Sequence, residues 1–165
     1  MLALKRALLV LALAAAGAAA GIALHTALTQ GDTMFAGKRP KNLGYDSGRL
    51  APCKTSPNCV SSQADPKDEE HYIAPLALKG DAIAAVRKAV ESMPRTSVVR
   101  VEPGYLYAEF SSKLMGFVDD VEFLADPVKG VVHVRSASRL GRRDFGVNRE
   151  HIEQLRSMLE KRIRS

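Results

Sequence analysis

Residues 96–112, TSVVRVEPGYLYAEFSS, hold two runs of alternating apolar and polar side chains on either side of Pro103-Gly104. Proline presets φ for the second position of a tight turn, and glycine accepts the positive φ of the third. Alternation with a period of two indicates strands that bury one face. The stretch therefore predicts a β-hairpin with strands over residues 96–102 and 105–112.

Two further strands are expected over residues 117–125 and 131–138, because the alternation continues on both sides of the turn residues 126–130. The register that keeps the apolar faces together pairs Val99 with Ala108, Phe110 with Asp119, and Phe123 with Val132. On the opposite face the same register aligns acidic and basic side chains in rows, Glu122 falling in line with His133. We expect that face to be a charge ladder in contact with water.

Two helices flank these strands in the sequence. Residues 81–94, DAIAAVRKAVESMP, and residues 149–164 each carry one apolar stripe at helical spacing, with Asn148 as an N-cap candidate. A sheet with one apolar face and two such helices can bury each other's apolar surfaces. The expected fold is α+β: a four-stranded antiparallel meander with both helices packed on one face, with or without an extra edge strand near residue 73.

The first 28 residues indicate an export signal. Lys5 and Arg6 precede residues 7–24, which carry no charge, so residues 1–28 predict a signal peptide or an N-terminal membrane anchor. An uncleaved anchor would hold the protein at the cell inner membrane with its folded part in the periplasm, and cleavage would release that part into the periplasm. Residues 29–52, rich in Gly, Pro and Lys, predict a flexible tether, and residues 53–165 the α+β domain.

The charge of the chain is uneven. Residues 129–165 contain ten Lys or Arg against four Asp or Glu, an excess equal to the net charge of +6 of all 165 residues. In the cell envelope this excess indicates an anionic small molecule, a lipid headgroup or an envelope protein as partner, or else only a solubilising surface. Nucleic acid is not expected, because Trp is absent and other aromatic residues are few.

Sequence motifs for common catalytic and cofactor sites are absent, since no glycine-rich phosphate loop, GxSxG or HExxH is found. We expect no cofactor and no metal. Cys53 and Cys59 are the only cysteines, and a disulfide between them is the expected state in an oxidising compartment. A reactive thiol at Cys59 and a metal site that recruits further ligands are the alternatives.

The predicted register places the carboxylate of Asp119 on the helix-facing side of the sheet, where it needs a hydrogen-bonding or charged partner. Ser136 and Ser138 share that side, and we expect Arg139 and Arg149 to supply positive charge. The result would be a pocket for an anionic or polar ligand at this end of the sheet. Alternatively, polar residues of the 139–149 turn only hold the turn and cap the last helix.

Three segments carry a family resemblance: CKTSPNCVSSQA at residues 53–64, GFVDDVEF at 116–123, and VHVRSASRLGRRDFGVNREHIEQLR at 132–156. Together they resemble the domain of unknown function 1499, found in bacterial envelopes and plastids, over about residues 50–163. The resemblance implies which segments matter and no activity, and it adds two serines to the site. The candidate ligand-binding residues are Ser61, Ser62, Asp119, Ser136, Ser138, Arg139, Asp144, Asn148 and Arg149.

Three functions fit these observations. The first is a membrane-tethered domain that binds an anionic or polar ligand. The second is an assembly module that docks on a membrane-protein partner through the polar face of the sheet. The third is a hydrolase or transferase that uses Asp119 with a serine or Cys59 as nucleophile, for which folding would have to bring His71 or His151 close as the base.

Overall fold

The computed structural model describes residues 35–164 of the chain. The predicted signal peptide or anchor, residues 1–28, lies outside the described residues, as do residues 29–34 of the predicted tether. Neither helix within the described range combines the length and the apolar character that a membrane span needs.

The described chain contains eight strands and two helices. The strands are β1 Tyr45–Asp46, β2 Arg49–Leu50, β3 Cys59–Ser61, β4 Leu76–Ala77, β5 Thr96–Glu102, β6 Tyr105–Ser111, β7 Val118–Asp126 and β8 Val131–Ser138. The helices are α1 Ala82–Glu91 and α2 Val147–Arg164.

The fold is α+β with an antiparallel sheet of six strands, so the prediction of a four-stranded sheet is wrong in its strand number. The order is β3-β8-β7-β6-β5, and β4 pairs with β8 beyond β3. Strands β5 to β8 form the predicted meander, and β3 and β4 extend it along the free edge of β8. These two strands have three and two residues, too few to show an alternating pattern.

The register of β6 and β7 is as predicted, with Phe110 opposite Asp119. Two neighbouring pairs differ. A bulge at Val99 brings Val98 instead opposite Ala108, and β8 is shifted so that Phe123 faces Val134 and Glu122 faces Arg135. The second shift follows from the turn, where Asp126 accepts a hydrogen bond of 3.0 Å from the backbone N–H of Lys129. A shift of two residues preserves which side chains of β8 face the helices.

The main core lies between the sheet and the two helices. Asp81 caps α1 by accepting a 3.2 Å hydrogen bond from the N–H of Ala84. The apolar stripes of both helices pack on the inner face of the sheet. The innermost side chains are Val86, Val90, Leu106, Phe110, Val121, Phe123, Val134, Ile152 and Leu155.

The outer face of the sheet is buried, contrary to the expected water-facing charge ladder. Residues 35–52, which we call the covering segment, pack over it, and the β1–β2 hairpin brings Leu50 against Tyr105, Tyr107 and Leu124. This part of the predicted tether is therefore packed on the sheet. Its lack of periodicity hid the contact, because an irregular segment can bury side chains without following a helix or strand period.

Burial of this face is possible because its charges are paired. Glu122 is fully buried and accepts hydrogen bonds of 2.7 Å from the Tyr105 hydroxyl and 2.7 Å from the backbone N–H of Gly44 in the covering segment. Arg135 donates to its second oxygen at 3.2 Å. At the other end of the segment, Arg39 pairs with Glu109 at 2.6 Å. The covering segment thus contributes donors to carboxylates that it removes from water.

A disulfide joins Cys53, directly after the covering segment, to Cys59, the first residue of β3. Because the sulfur of Cys59 is bonded, it offers no thiol to act as nucleophile. The described residues also contain no group of three or more His, Cys, Asp or Glu side chains that could hold a metal ion.

We expect Glu122→Gln to lower the free energy of unfolding by about 3 kcal/mol, because Arg135 would stay buried without a countercharge. Glu91→Gln is the matched control: its partner Arg87 lies 2.8 Å away on the exposed face of α1, and its loss should cost less than about 0.5 kcal/mol. Urea unfolding of the full chain in a non-ionic detergent measures both. Equal small losses would contradict a stabilising role for the buried pair.

Candidate functional site

The three sequence segments of the resemblance meet at one end of the sheet, where β6 leads into β7 and β8 ends. Asp119 of β7 lies directly opposite Ser138 of β8. The carbonyl of Asn58, next to the disulfide, accepts a 3.0 Å hydrogen bond from the backbone N–H of Ser138. This end of the sheet, which we call the site end, therefore combines residues that are far apart in the chain.

A partly buried hydrogen-bonded group on the inner face contains five of the predicted site residues. Ser138 donates to Asp119 Oδ1 at 2.6 Å. The amide of Asn148 in α2 donates to Ser138 Oγ at 2.9 Å and to Asp144 Oδ2 at 2.8 Å, and its oxygen accepts from Ser136. We call these five side chains the Asp119 cluster. It joins both central strands to the start of the last helix.

The start of α2 explains why Asn148 points inward. The helix begins at Val147, one residue before the predicted N-cap Asn148. Asp144 accepts from the free backbone N–H groups of Gly146 at 3.1 Å and Asn148 at 2.9 Å. Because Asp144 accepts the backbone hydrogen bonds at the helix start, the side chain of Asn148 is available to form hydrogen bonds with the strands.

The expected pairing of Arg139 with Asp119 is wrong. Arg139 lies on the outer face instead. Its guanidinium group donates to Asp120 at 2.8 Å and to the Tyr107 hydroxyl at 3.0 Å, and it pairs with Glu109. The reason is strand alternation, which continues one residue beyond the end of β8 and sends Arg139 to the side opposite Ser138.

Three other predicted site residues lie outside the Asp119 cluster. Arg149 donates to the backbone carbonyls of residues 69, 70 and 72, so it holds that loop against α2. Ser61 accepts from the N–H of Gln63 at 3.2 Å. Ser62 accepts from the N–H of Val134 at 2.9 Å, farther along β8. These bonds give Arg149 and the two serines local structural roles.

His151, which the sequence named only as a possible base and not among the ligand-binding residues, lies next to the Asp119 cluster. Its Nδ1 lies 3.9 Å from Asp119 Oδ2 and is buried without a hydrogen-bond partner among the described residues. The ring packs on Phe110, with 5.4 Å between ring centroids. Its position could have been predicted from helical spacing, because a residue three positions after Asn148 lies on the same face of the helix.

A cavity of about 250 Å³ opens beside the Asp119 cluster. We call it the inner cavity. Asp119, Ser138, Arg143 and Asp144 are among its polar lining residues. The apolar lining residues are Phe117, Leu140, Phe145 and Val147.

The pKa values of Asp119, which lines the inner cavity, and of His151 behind it are shifted in opposite directions. Burial raises the pKa of Asp119 to about 6, with a further rise from the nearby carboxylates of Asp144 and Asp120, against the hydrogen bond from Ser138. Burial lowers the pKa of His151 below its ordinary value of 6.5. Near neutral pH the wall thus presents the Asp119 carboxylate, with the neutral imidazole of His151 beside it, and a carboxylate accepts hydrogen bonds.

This arrangement differs from that of an activated serine. Ser138 donates its hydroxyl proton to Asp119, and the imidazole of His151 lies beyond the carboxylate. A serine–histidine pair occurs elsewhere, where Ser62 Oγ is 3.2 Å from His133 Nδ1. That serine is buried and already accepts the backbone bond from Val134, so it ties β3 to β8. The inner cavity is better suited to binding than to nucleophilic catalysis.

Comparison with protein families matches residues 49–159 to a family described as "Protein of unknown function (DUF1499)". No curated protein and no solved structure matches the chain. The matched range includes every residue of the Asp119 cluster and of the inner cavity.

We expect Asp119→Asn to be more stable than the parent chain at pH 7 and equal to it near pH 4. A carboxyl whose pKa rises on folding binds its proton more tightly in the folded chain, so stability falls as the pH increases from about 4 to about 6 and stays lower above. The rise from 3.8 to about 6 corresponds to at most about 3 kcal/mol.

Urea unfolding of both chains between pH 4 and pH 8 measures this difference. His151 has a shift of the opposite direction in an overlapping range, but it is present in both chains and its direct effect cancels in the comparison. A difference in stability that does not change with pH would contradict a raised pKa for Asp119.

Proposed function

Because the chain belongs to the family described as protein of unknown function DUF1499, we propose its function from its own site: it is a membrane-tethered domain of the cell envelope that binds a small polar ligand in the inner cavity. The cavity itself is the observation that carries the proposal. An open, mainly apolar cavity with a few convergent polar groups and shifted pKa values is the usual form of a small-molecule site.

The polar wall selects the chemistry of the ligand. One oxygen of Asp119 accepts from Ser138, and the other lies 3.9 Å from an unpaired imidazole nitrogen of His151. A ligand hydroxyl or amino group can donate to that second oxygen, while an anionic group would meet a carboxylate at neutral pH. We therefore narrow the expected anionic or polar ligand to one with a hydrogen-bond donor at its polar end.

The apolar lining of the cavity favours a ligand whose other end is a hydrocarbon group. The side chains of Phe117, Leu140 and Phe145 face the cavity together with the aliphatic side chain of Val147. A short hydrocarbon part would remove both itself and these side chains from water. The ligand is therefore a small amphipathic molecule, polar at one end and apolar along its body.

The outer face offers less to a ligand or a partner. A cavity of about 140 Å³ borders Arg135 and Arg139 there. Both arginines are already paired with carboxylates, Arg135 with Glu122 and Arg139 with Asp120. The covering segment also occupies the face through which an assembly module would dock. For these reasons we place binding in the inner cavity ahead of assembly through the outer face.

The tether part of the proposal is supported by the sequence. Lys5 and Arg6 before the charge-free residues 7–24 fit a single N-terminal anchor in the cell inner membrane, with the folded domain in the periplasm. Cleavage of the signal would place the same domain free in the periplasm. The disulfide between Cys53 and Cys59 fits either location, because the periplasm is oxidising.

We expect 1-hexanol and hexylamine to bind in the inner cavity at pH 7, with dissociation constants of roughly millimolar size, and hexanoate to bind at least several-fold more weakly. The three probes share one alkyl chain and differ only at the polar end. Binding is measured by NMR titration of the full chain in lipid nanodiscs, and the shifted backbone amides should be those of residues 117–119 and 138–147.

Asp119→Asn should remove the preference for hexylamine, because the neutral amide no longer attracts the ammonium group. Asp126→Asn is the matched control at the far end of β7, and it should leave all three titrations unchanged. Amide shifts spread over the whole surface, or tightest binding of hexanoate at pH 7, would overturn the proposed site or its proposed ligand chemistry respectively.

A further inference from the structure

The two loops that border the inner cavity carry large apolar side chains that the fold does not cover. Leu114 at the tip of the β6–β7 loop is 93% exposed, and Phe145 in the loop before α2 is 96% exposed. Met115 and Leu140 beside them are also exposed. Exposed apolar groups gathered in one place mark a surface that meets another apolar phase or molecule.

The backbone of both loops projects these side chains outward. Hydrogen bonds of 2.8 and 3.0 Å join Ser112 and Phe117 across the base of the first loop, so Leu114 stands at its tip. Phe145 has φ of 57°, in the left-handed region that a bulky residue seldom adopts. Phe145 thus combines a strained backbone with a side chain that is almost entirely exposed to water in the unliganded chain.

Basic side chains alternate with the apolar ones. Lys113 precedes Leu114, and Arg142 and Arg143 precede Phe145, and all three are exposed. None of the three forms an ion pair with another residue of the described part of the chain. Of the nearby acidic groups, Asp144 accepts hydrogen bonds from backbone N–H groups at the start of α2, and Glu150 is exposed on the helix. We call Lys113, Leu114, Leu140, Arg142, Arg143 and Phe145 the rim.

Phe35 packs against the base of the β6–β7 loop, which carries part of the rim. The ring of Phe35 lies 5.2 Å from that of Phe117, centroid to centroid. Only residues 25–34 stand between Phe35 and the charge-free run of residues 7–24. Ten residues reach at most about 36 Å when fully extended. The proposed anchor is therefore separated by only ten residues from a residue that packs beside the loops of the rim.

We propose that the rim docks on an anionic bilayer surface, with Leu114 and Phe145 among the lipid headgroups and the three basic side chains on anionic lipid. Apolar side chains beside Lys and Arg are the composition that binds such interfaces. The inference rests on the proposed tether but not on the ligand of the inner cavity. Its consequence is that the cavity mouth opens toward the headgroup layer.

A second copy of the chain is a poorer partner for this surface. A two-fold contact would place the same three basic side chains of each copy against one another, with little acidic charge to offset them. An anionic bilayer supplies the complementary charge and the apolar phase together. We therefore assign the rim to lipid.

The chain has no tryptophan, which allows single reporters to test this proposal. Phe145→Trp places one at the rim, and Val128→Trp places the control at a 95% exposed position in the β7–β8 turn, at the opposite end of the sheet. Both full-length variants are reconstituted in vesicles of phosphatidylglycerol and phosphatidylcholine with brominated acyl chains. We expect brominated lipid to quench the Phe145→Trp emission at least twofold and the Val128→Trp emission by less than a tenth.

A second comparison tests whether the basic side chains of the rim bind anionic lipid. Arg142→Gln with Arg143→Gln, or vesicles of phosphatidylcholine alone, should reduce the quenching of Phe145→Trp by at least half. Equal quenching of the two reporters would contradict docking of the rim on the bilayer. Quenching that is the same with and without anionic lipid would contradict the proposed preference for anionic lipid. A blue shift that grows with protein concentration without lipid would assign the rim to a second copy. None of these outcomes depends on the hexyl probes, so failure of docking and failure of the cavity site remain distinguishable.

Discussion

Two neighbouring carboxylates in β7, Asp119 and Asp120, constrain the whole structure. Strand alternation sends them to opposite faces of one sheet, and both are buried. On each face, other residues must therefore donate hydrogen bonds to the carboxylate and shield it from water. On the inner face Ser138 and the start of α2 meet Asp119, and on the outer face Arg139 and Tyr107 meet Asp120. The sheet is consequently enclosed on both sides, although only one of its faces is apolar.

Alternation was enough to predict the α+β class, the meander of β5 to β8 and the pairing of Asp119 with a serine of β8. Each of these depends only on which side of a strand a residue occupies. The covering segment could not be found in this way, because its residues have no period and their contacts with β6 and β7 are remote in sequence. The positions of Arg139 and His151 were available in principle, the first by counting one residue past Ser138 and the second by helical spacing from Asn148.

The inner cavity and the rim give the site end two complementary properties. The wall of the cavity holds Asp119, whose pKa is raised by burial, and His151 beside it has its pKa lowered by burial. The rim places apolar and basic side chains around the opening. A ligand that partitions into a membrane would meet the rim before it meets the wall, so tether, rim and wall would act in sequence on one kind of molecule. The family description adds no activity to this picture, and the argument for binding depends on the geometry of the chain itself.

The bulge at Val99 has a consequence for solubility. Strand β5 lies at one end of the strand order, and Val99 and Val101 on it are exposed. An unpaired edge with valines is a template on which a strand of another molecule can add, and such addition leads to aggregates. The extra residue interrupts the regular row of backbone donors and acceptors and increases the local twist, and Arg100 next to it adds a charge. The irregularity thus makes it less favourable for a strand of another copy of this chain to add to the edge.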